Sequence, residues 1–423
     1  VGKTVAALNI IYQSAVNDVA SMMIDYKGSR GTYRSMKAIA HATGRPFYTF
    51  DVGLETGERT WYDPLAWKGT PSEKTSMLVA AFEFSESGDA SFYRNVAEQW
   101  MNLQFEIMDT IGLREGEGRF DFLLETSTTQ GLKNRILSSP VTRTLPRERV
   151  ETWNASLASV KQEHLGSLRA NLSKIVNAGG ERLRPQKGIE PLSLKKIADE
   201  GGVAYIGLSP MTDGAALKGL GSLLIRDLGV LVGERLKREK GNDRRFVVLV
   251  DEASRMGARA AVMDDLFTQS READVNLWVA TQSLAAWPAT TRREMAGNVT
   301  TRLIMRVQDP ETQAEMETLI GKVPAMLLTG EGGVQHDALR GETTSMDGEN
   351  RYTIGMETLL SATDLGSPAV LDVGQAFLIV SGSFNRPTRQ KWTSRRVTKD
   401  EVKVDVPLVA IVLKPEIMDP DRE

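Results

Sequence analysis

The sequence predicts an α/β fold on a mostly parallel sheet, interrupted by an inserted all-α domain, and three observations carry that prediction. Two apolar runs rich in β-branched residues, FVVLV at 246–250 and VNLWVA at 275–280, have the length and composition of strands buried on both faces. Each run stops in polar side chains, the first in Asp251 and Glu252, the second in Thr281, Gln282 and Ser283. The carboxyl edge of an open parallel sheet is where such folds bind ligands. Finally, the chain opens on Val1, Gly2, Lys3 and Thr4 and runs directly into an apolar-periodic helix, VAALNIIYQSAV.

VGKT is the second half of G-x-x-x-x-G-K-[ST], a loop that cradles phosphate. Gly2 lets the backbone approach a phosphate, Lys3 sets a point charge against its β and γ oxygens, and Thr4 offers a hydroxyl to Mg²⁺. The helix that starts there adds free N–H groups and the positive end of its dipole. The motif's first glycine and the strand expected before it are not in the sequence. GKT alone recurs by chance. At a helix start, matched with one strand ending in DE and another in TQS, it reads as a nucleotide-hydrolysing P-loop core. Hydrolysis of a nucleoside triphosphate is mostly positioning and charge stabilisation. Lys3 and Thr4 then hold phosphate and Mg²⁺, Asp251 supports the metal directly or through water, and Glu252 polarises the attacking water as general base. Gln282 senses the γ-phosphate or orients that water. The plainer alternatives are a surface lysine at a helix start for Lys3 and a cap on strand-end backbone groups for Gln282.

DYKG after the strand ASMMID, together with DEASRM, SREAD and ATQSL, resembles the motifs of type IV secretion system coupling proteins. These are conjugative DNA-transfer ATPases of the FtsK/HerA-type P-loop motor superfamily. The resemblance runs from Val1 to about Arg396 and is weakest in the middle third and over 328–352. It implies a RecA-like P-loop domain with ATP and Mg²⁺ as cofactors. It implies a homo-hexameric ring with ATP sites between neighbours and DNA, single-stranded in the leading reading, through its centre. The implied partners are the relaxase or DNA-processing complex and the type IV secretion channel. The implied location is the cytoplasmic side of the bacterial inner membrane, with any anchor before Val1. Arg271, in SREAD, stands where the family has an arginine finger that reaches the γ-phosphate held by a neighbouring subunit. Its rival is an ordinary ion pair with Glu272 or Asp274, with Arg255 and Arg259 as substitutes. Asp25 and Lys27 lie near the nucleotide or a subunit interface by the same resemblance, or else form a strand-end turn with solvated charges.

At 423 residues the chain holds two to three domains. Residues 1–70 read as the first part of the motor domain, 71–198 as an inserted all-α domain and 199–398 as the second part of the motor, followed by a tail at 399–423. Within the second part, 328–352 reads as a loop or insertion, being polar, glycine-rich and aperiodic. The insertion is expected to carry helices at SEKTSMLVAAFEF, YRNVAEQWMNLQFEIMDTIG and one long amphipathic stretch over 148–178. Its basic tract, Arg182, Arg184 and Lys187, reads as a solvated linker rather than a DNA patch. There is no cysteine, which excludes disulfides, thiolate metal sites and a cysteine nucleophile. The net charge of −3 gives no global basic field, so any DNA contact falls to a few loops. One candidate is 284–297, with Trp287 for stacking and Arg292 and Arg293 for phosphate; the same stretch also reads as a surface helix with a buried tryptophan. Two other functions stay open: a related HerA- or FtsK-type ring pumping double-stranded DNA or protein, and a recruitment receptor switched by nucleotide. The DE pair and Arg271 count against the receptor, and the helical insertion favours the coupling protein over the pump.

Overall fold

Residues 3–52, 58, 60–82, 90–208, 214–238, 243–320, 322–330, 351–358, 360–367, 375–380 and 403–405 are described by the computed structural model. Gly2, the stretch 331–350 and most of the tail lie outside them. The chain divides into two units, one chiefly Thr4–Gln282 with Ala286–Asn298, the other chiefly Val299–Leu408 with Ser283–Ala285.

In the larger unit, apolar periodicity and strand runs alternate as the sequence predicts: α1 (Lys3–Val16), β1 (Ala20–Asp25), α2 (Arg30–Ala42), β2 (Phe47–Val52) and β3 (Trp61–Tyr62). A helical stretch follows, with α3 (Pro71–Ala81), α4 (Ala90–Ile111), α5 (Arg119–Glu125), α6 (Thr129–Ser138), α7 (Arg147–Ser159) and α8 (Gly166–Gly179). The α/β pattern returns in β4 (Pro191–Leu192), α9 (Leu194–Glu200), β5 (Val203–Leu208), α10 (Gly214–Leu236), β6 (Phe246–Asp251), α11 (Asp264–Gln269), β7 (Val275–Ala280) and α12 (Ala289–Asn298). Among the described residues, five strands form one sheet in the order β2-β5-β1-β6-β7, and every pairing is parallel.

Strands β1, β5 and β6 are buried at every residue, and their alternation feeds two cores. Met23, Tyr205, Val247 and Leu249 face Ile11 of α1 and Met36 and Ile39 of α2. Met22, Ile24, Ala204, Val248 and Val250 join a second cluster with Leu220, Leu224 and Leu228 of α10. Each such valine or leucine removed from water contributes roughly 1.5–3 kcal/mol. β7 departs from the expectation of a strand buried on both faces. Only Val275 is buried, because β7 is the sheet's edge among the described residues and is paired on one side only.

Helix α3 starts where a capping box dictates. Thr70 Oγ1 accepts from the Glu73 amide at 3.2 Å, Glu73 Oε2 accepts from the Thr70 amide at 2.8 Å, and Pro71 occupies the first turn. The stretch read as one amphipathic helix over 148–178 is broken. Val160 takes extended backbone (φ −107°, ψ 125°), ending α7, and α8 begins after a short 3-10 turn. Helices α5 and α6 are further elements that the sequence reading did not separate. β3 and β4 pair, and the Trp61 indole donates to the Ile189 carbonyl at 2.7 Å, so the helical stretch leaves and rejoins the α/β layer at one place. Its apolar interior is continuous with the α10 face of the sheet, from Met22 and Ile24 to Trp100, Trp153 and Leu172. The basic tract is not simply a solvated linker: Arg184 Nε and Nη2 both reach the Asp121 carboxylate of α5 at 2.9 Å.

The smaller unit contains β8 (Thr301–Ile304), α13 (Pro310–Ile320), β9 (Lys322–Gly330), β10 (Arg351–Thr358), α14 (Ala362–Gly366), β11 (Gln375–Val380) and β12 (Lys403–Asp405). β9 and β10 pair antiparallel on either side of 331–350, and β12-β11-β8 form a second antiparallel sheet. Asp309 opens α13, accepting from the Thr312 amide at 3.2 Å. Among the described residues no helix is long and apolar enough to cross a membrane.

Candidate functional site

Parallel pairing sets three strand ends level, with Asp25 of β1 beside Asp251 of β6 and Asp251 beside Ala280 of β7. Lys3 and Thr4 open α1, and Thr4 Oγ1 makes a long hydrogen bond of 3.4 Å to Asp251 Oδ2. A hydroxyl and a carboxylate so close are a hard-oxygen pair, the donor chemistry that suits Mg²⁺ when phosphate and water complete its shell. Among the described residues no group of three or more acidic or histidine side chains forms a cage that would hold a metal without them.

Glu252 follows at once and is buried, in the left-handed backbone region (φ 57°, ψ 39°). A non-glycine residue there is strained, and such strain collects at functional sites. Its Oε1 accepts from two sides: Gln282 Nε2, beyond β7, at 2.6 Å and Lys27 Nζ, beyond β1, at 2.9 Å. Gln282 therefore meets the candidate base rather than only strand-end backbone. The DYKG turn also resolves. Asp25, buried, accepts from the amides of Lys27 at 2.8 Å and Ser29 at 3.0 Å and from the Tyr205 phenol at 3.0 Å. Burial, and then the Asp25 carboxylate, hold that phenol's pKa well above its ordinary value, so Tyr205 remains a donor. Asp25 builds the turn, and Lys27 reaches from it to Glu252. The sequence placed Lys27 at this edge without identifying its partner.

Of the three polar residues after β7, Gln282 is the one whose side chain donates to Glu252 at 2.6 Å, and the other two have partners of their own. Thr281 Oγ1 accepts from the Trp287 indole at 3.0 Å, and Ser283 donates to Asp309 at 2.9 Å at the start of α13. Trp287, in the turn before α12, is 3% exposed, so it is a buried tryptophan and not a free stacking platform.

Arg271 is not brought to this edge. It sits on the 3-10 turn Ser270–Ala273 that leads into β7, and the next residue but two, Asp274, accepts from the Phe246 amide at 3.0 Å. Arg271 is thus at the amino ends of the strands, and a strand of this length spans about 20 Å. It is exposed and makes no ion pair among the described residues, which leaves the rival pairing with Glu272 or Asp274 without support. The turn is fixed from behind by Arg235 of α10, 4% exposed, donating to the Ala273 carbonyl at 3.2 Å. Arg255 is exposed and lies against the Tyr26 carbonyl at 3.5 Å; the side chain of Arg259 lies outside the described residues.

Residues 245–365, which include Asp251, Glu252, Arg271 and Gln282, match the family model described as the TraM recognition site of TraD and TraG. Among solved structures, the chain is similar to the bacterial conjugative coupling protein TrwBdeltaN70 in an unbound form. The TM-score is 0.55 at 12% identity, covering 94% of this chain and 86% of that one. The plasmid coupling protein TrwB in complex with ADP and Mg²⁺ gives 0.54 at 11% identity, with 93% and 86% covered. TrwB with the non-hydrolysable ATP analogue ADPNP gives 0.53 at 13% identity, again over 93% and 86%. The comparison with curated proteins found no match. The structural likeness establishes the fold: a RecA-like P-loop α/β domain on a mostly parallel sheet, interrupted by an all-α insertion.

Proposed function

We propose that this chain, whose resemblance to type IV secretion coupling proteins holds in its motifs, its fold and the segment 245–365, is the motor of such a protein. It is an ATP-driven DNA translocase that joins a conjugative DNA-processing complex, relaxase included, to a type IV secretion channel. It works as a homo-hexamer at the cytoplasmic face of the bacterial inner membrane, with single-stranded DNA as cargo. One observation carries this reading: a buried acidic pair at a strand end, with Thr4 against Asp251 and Gln282 against Glu252, lies inside the segment that matches coupling proteins.

The chain's own residues divide the work. Gly2 and Lys3 bind the triphosphate, and Thr4 and Asp251 hold Mg²⁺. The metal, when bound, neutralises charge that develops on the phosphate oxygens. Glu252 takes a proton from the attacking water, Gln282 orients that water, and Arg271 stabilises the transition state of the neighbouring subunit's site. The test is ATP hydrolysis measured with and without single-stranded DNA, beside plasmid transfer from donor cells. The reading requires DNA-stimulated hydrolysis and transfer that depends on Glu252. Nucleotide binding with no hydrolysis in DNA's presence would instead identify a nucleotide-switched recruitment receptor. Stimulation by double-stranded DNA alone would identify a duplex pump.

A further inference from the structure

Lys27 is a charged side chain that contacts the candidate base at the carboxyl edge, and the proposed hydrolysis assigns it no task. We propose that Lys27 is the positioning residue of the general base, its ammonium fixing the Glu252 carboxylate in the orientation from which it accepts water's proton. The proposal rests on the reading of Glu252 as base.

Three features support it. Glu252 is in left-handed backbone without the short side chain that lets aspartate or asparagine tolerate that region, so its conformation must be held from outside. The holding groups come from the two flanking strands, Lys27 beyond β1 and Gln282 beyond β7, and converge on one oxygen at 2.9 and 2.6 Å. They are not equivalent. Gln282 is a neutral amide that can turn towards phosphate or water, whereas Lys27 supplies the counter-charge a buried carboxylate requires.

The turn that delivers Lys27 is also built to be rigid. Asp25 accepts three hydrogen bonds within and behind it, and Gly28 supplies a positive φ of 61°. On its other side, α10 packs so closely that a Cβ on Gly221 would lie 2.2 Å from Tyr26 Oη. A lysine that merely decorates a strand-end turn extends into water. Lys27, with a side chain 35% exposed, instead turns inward to a carboxylate that is 5% exposed.

Replacing Lys27 with methionine keeps an unbranched side chain one atom shorter and removes the charged donor. In the full chain with single-stranded DNA, Lys27→Met should lower kcat by about tenfold to a hundredfold, the scale of a misplaced reacting group, and leave KM within about twofold. Fluorescent ATP should bind it as it binds the wild type. Lys27→Arg should recover most of the lost rate, because it restores a charged donor. In a Glu252→Gln background, Lys27→Met should change the residual rate no further, since its effect passes through the base. A parallel loss of nucleotide affinity, or an additive loss in the double variant, would overturn the proposal and place Lys27 on phosphate or in the fold. Lys27→Met hydrolysing like the wild type would overturn it while leaving Glu252 as base. A wild-type chain that binds fluorescent ATP but never hydrolyses it overturns the base assignment, and the role of Lys27 with it.

Discussion

At the carboxyl ends of β1, β6 and β7 the chain gathers Thr4, Lys27, Asp251, Glu252 and Gln282 into direct contacts, with both acids buried. At the amino ends of the same strands, Arg271 stands exposed on a turn that Arg235 braces from behind. The two edges are separated by the length of the strands, about 20 Å, which no arginine side chain spans. The difference teaches that an arginine in SREAD cannot serve the Glu252 of its own chain. If it serves hydrolysis, it serves another copy's site, and the two edges are the two halves of one active site repeated around an assembly.

The largest effects should come from the carboxyl edge. Lys3→Ala and Glu252→Gln should both cut ATP hydrolysis to a small residual rate, but through different intermediates. Lys3→Ala loses nucleotide affinity because the phosphate charge loses its partner. Glu252→Gln keeps ATP bound and trapped, because loss of a general base removes a rate factor of roughly 10² to 10⁴ and not a binding contact. Equilibrium binding of fluorescent ATP separates them, and equal loss of binding in both would make Glu252 structural. A smaller effect is expected from the frame of that edge. Asp25→Ala strips the DYKG turn and the Tyr205 phenol of their acceptor, and urea denaturation should show a loss of about 1–3 kcal/mol. An unchanged midpoint would mean that the turn does not depend on Asp25.

The smallest effect on hydrolysis lies away from both edges and serves as their control. Asp227 of α10 accepts from the Tyr62 phenol at 2.7 Å, and its pKa is pushed up to about 7. Burial is the main cause; the bond from Tyr62 opposes it and the Asp63 carboxylate adds to it. The folded chain therefore keeps this proton up to about pH 7, whereas the unfolded chain releases it near pH 4. Stability contributed by the neutral acid is present below the lower value and is lost as pH rises across that window. Asp227→Asn should match the wild type in Tm near pH 4 and exceed it at pH 8, with hydrolysis per bound nucleotide unchanged. A Tm difference independent of pH would contradict this.

The carboxyl edge was legible in the sequence because its signals are local. GKT at a helix start, and DE and TQS at the ends of β-branched runs, place polar groups at strand ends without any knowledge of pairing. What escaped depended on contacts between distant segments. Nothing in VNLWVA reveals that, among the described residues, β7 has a neighbour on one side only, and nothing in DYKG reveals that Lys27 meets Glu252. Trp287 suits either a stacking platform or a core, and only its burial with Thr281 decides. The split of 148–178 into α7 and α8 escaped because both halves share one amphipathic period, while the break is a backbone event at Val160.

The central claim, that the amino edge of one chain completes the carboxyl edge of another, is tested most directly by mixing two dead variants. Arg271→Ala should bind ATP nearly normally yet hydrolyse it on the order of a thousandfold more slowly, the scale of a lost finger. Lys3→Ala lacks the phosphate contact but keeps Arg271. In mixed assemblies an intact Lys3 can face an intact Arg271 from its neighbour, so hydrolysis should rise above that of either variant alone and peak near equal proportions. If gel filtration shows the two variants in one assembly and the mixture remains as inactive as each alone, Arg271 does not act between chains.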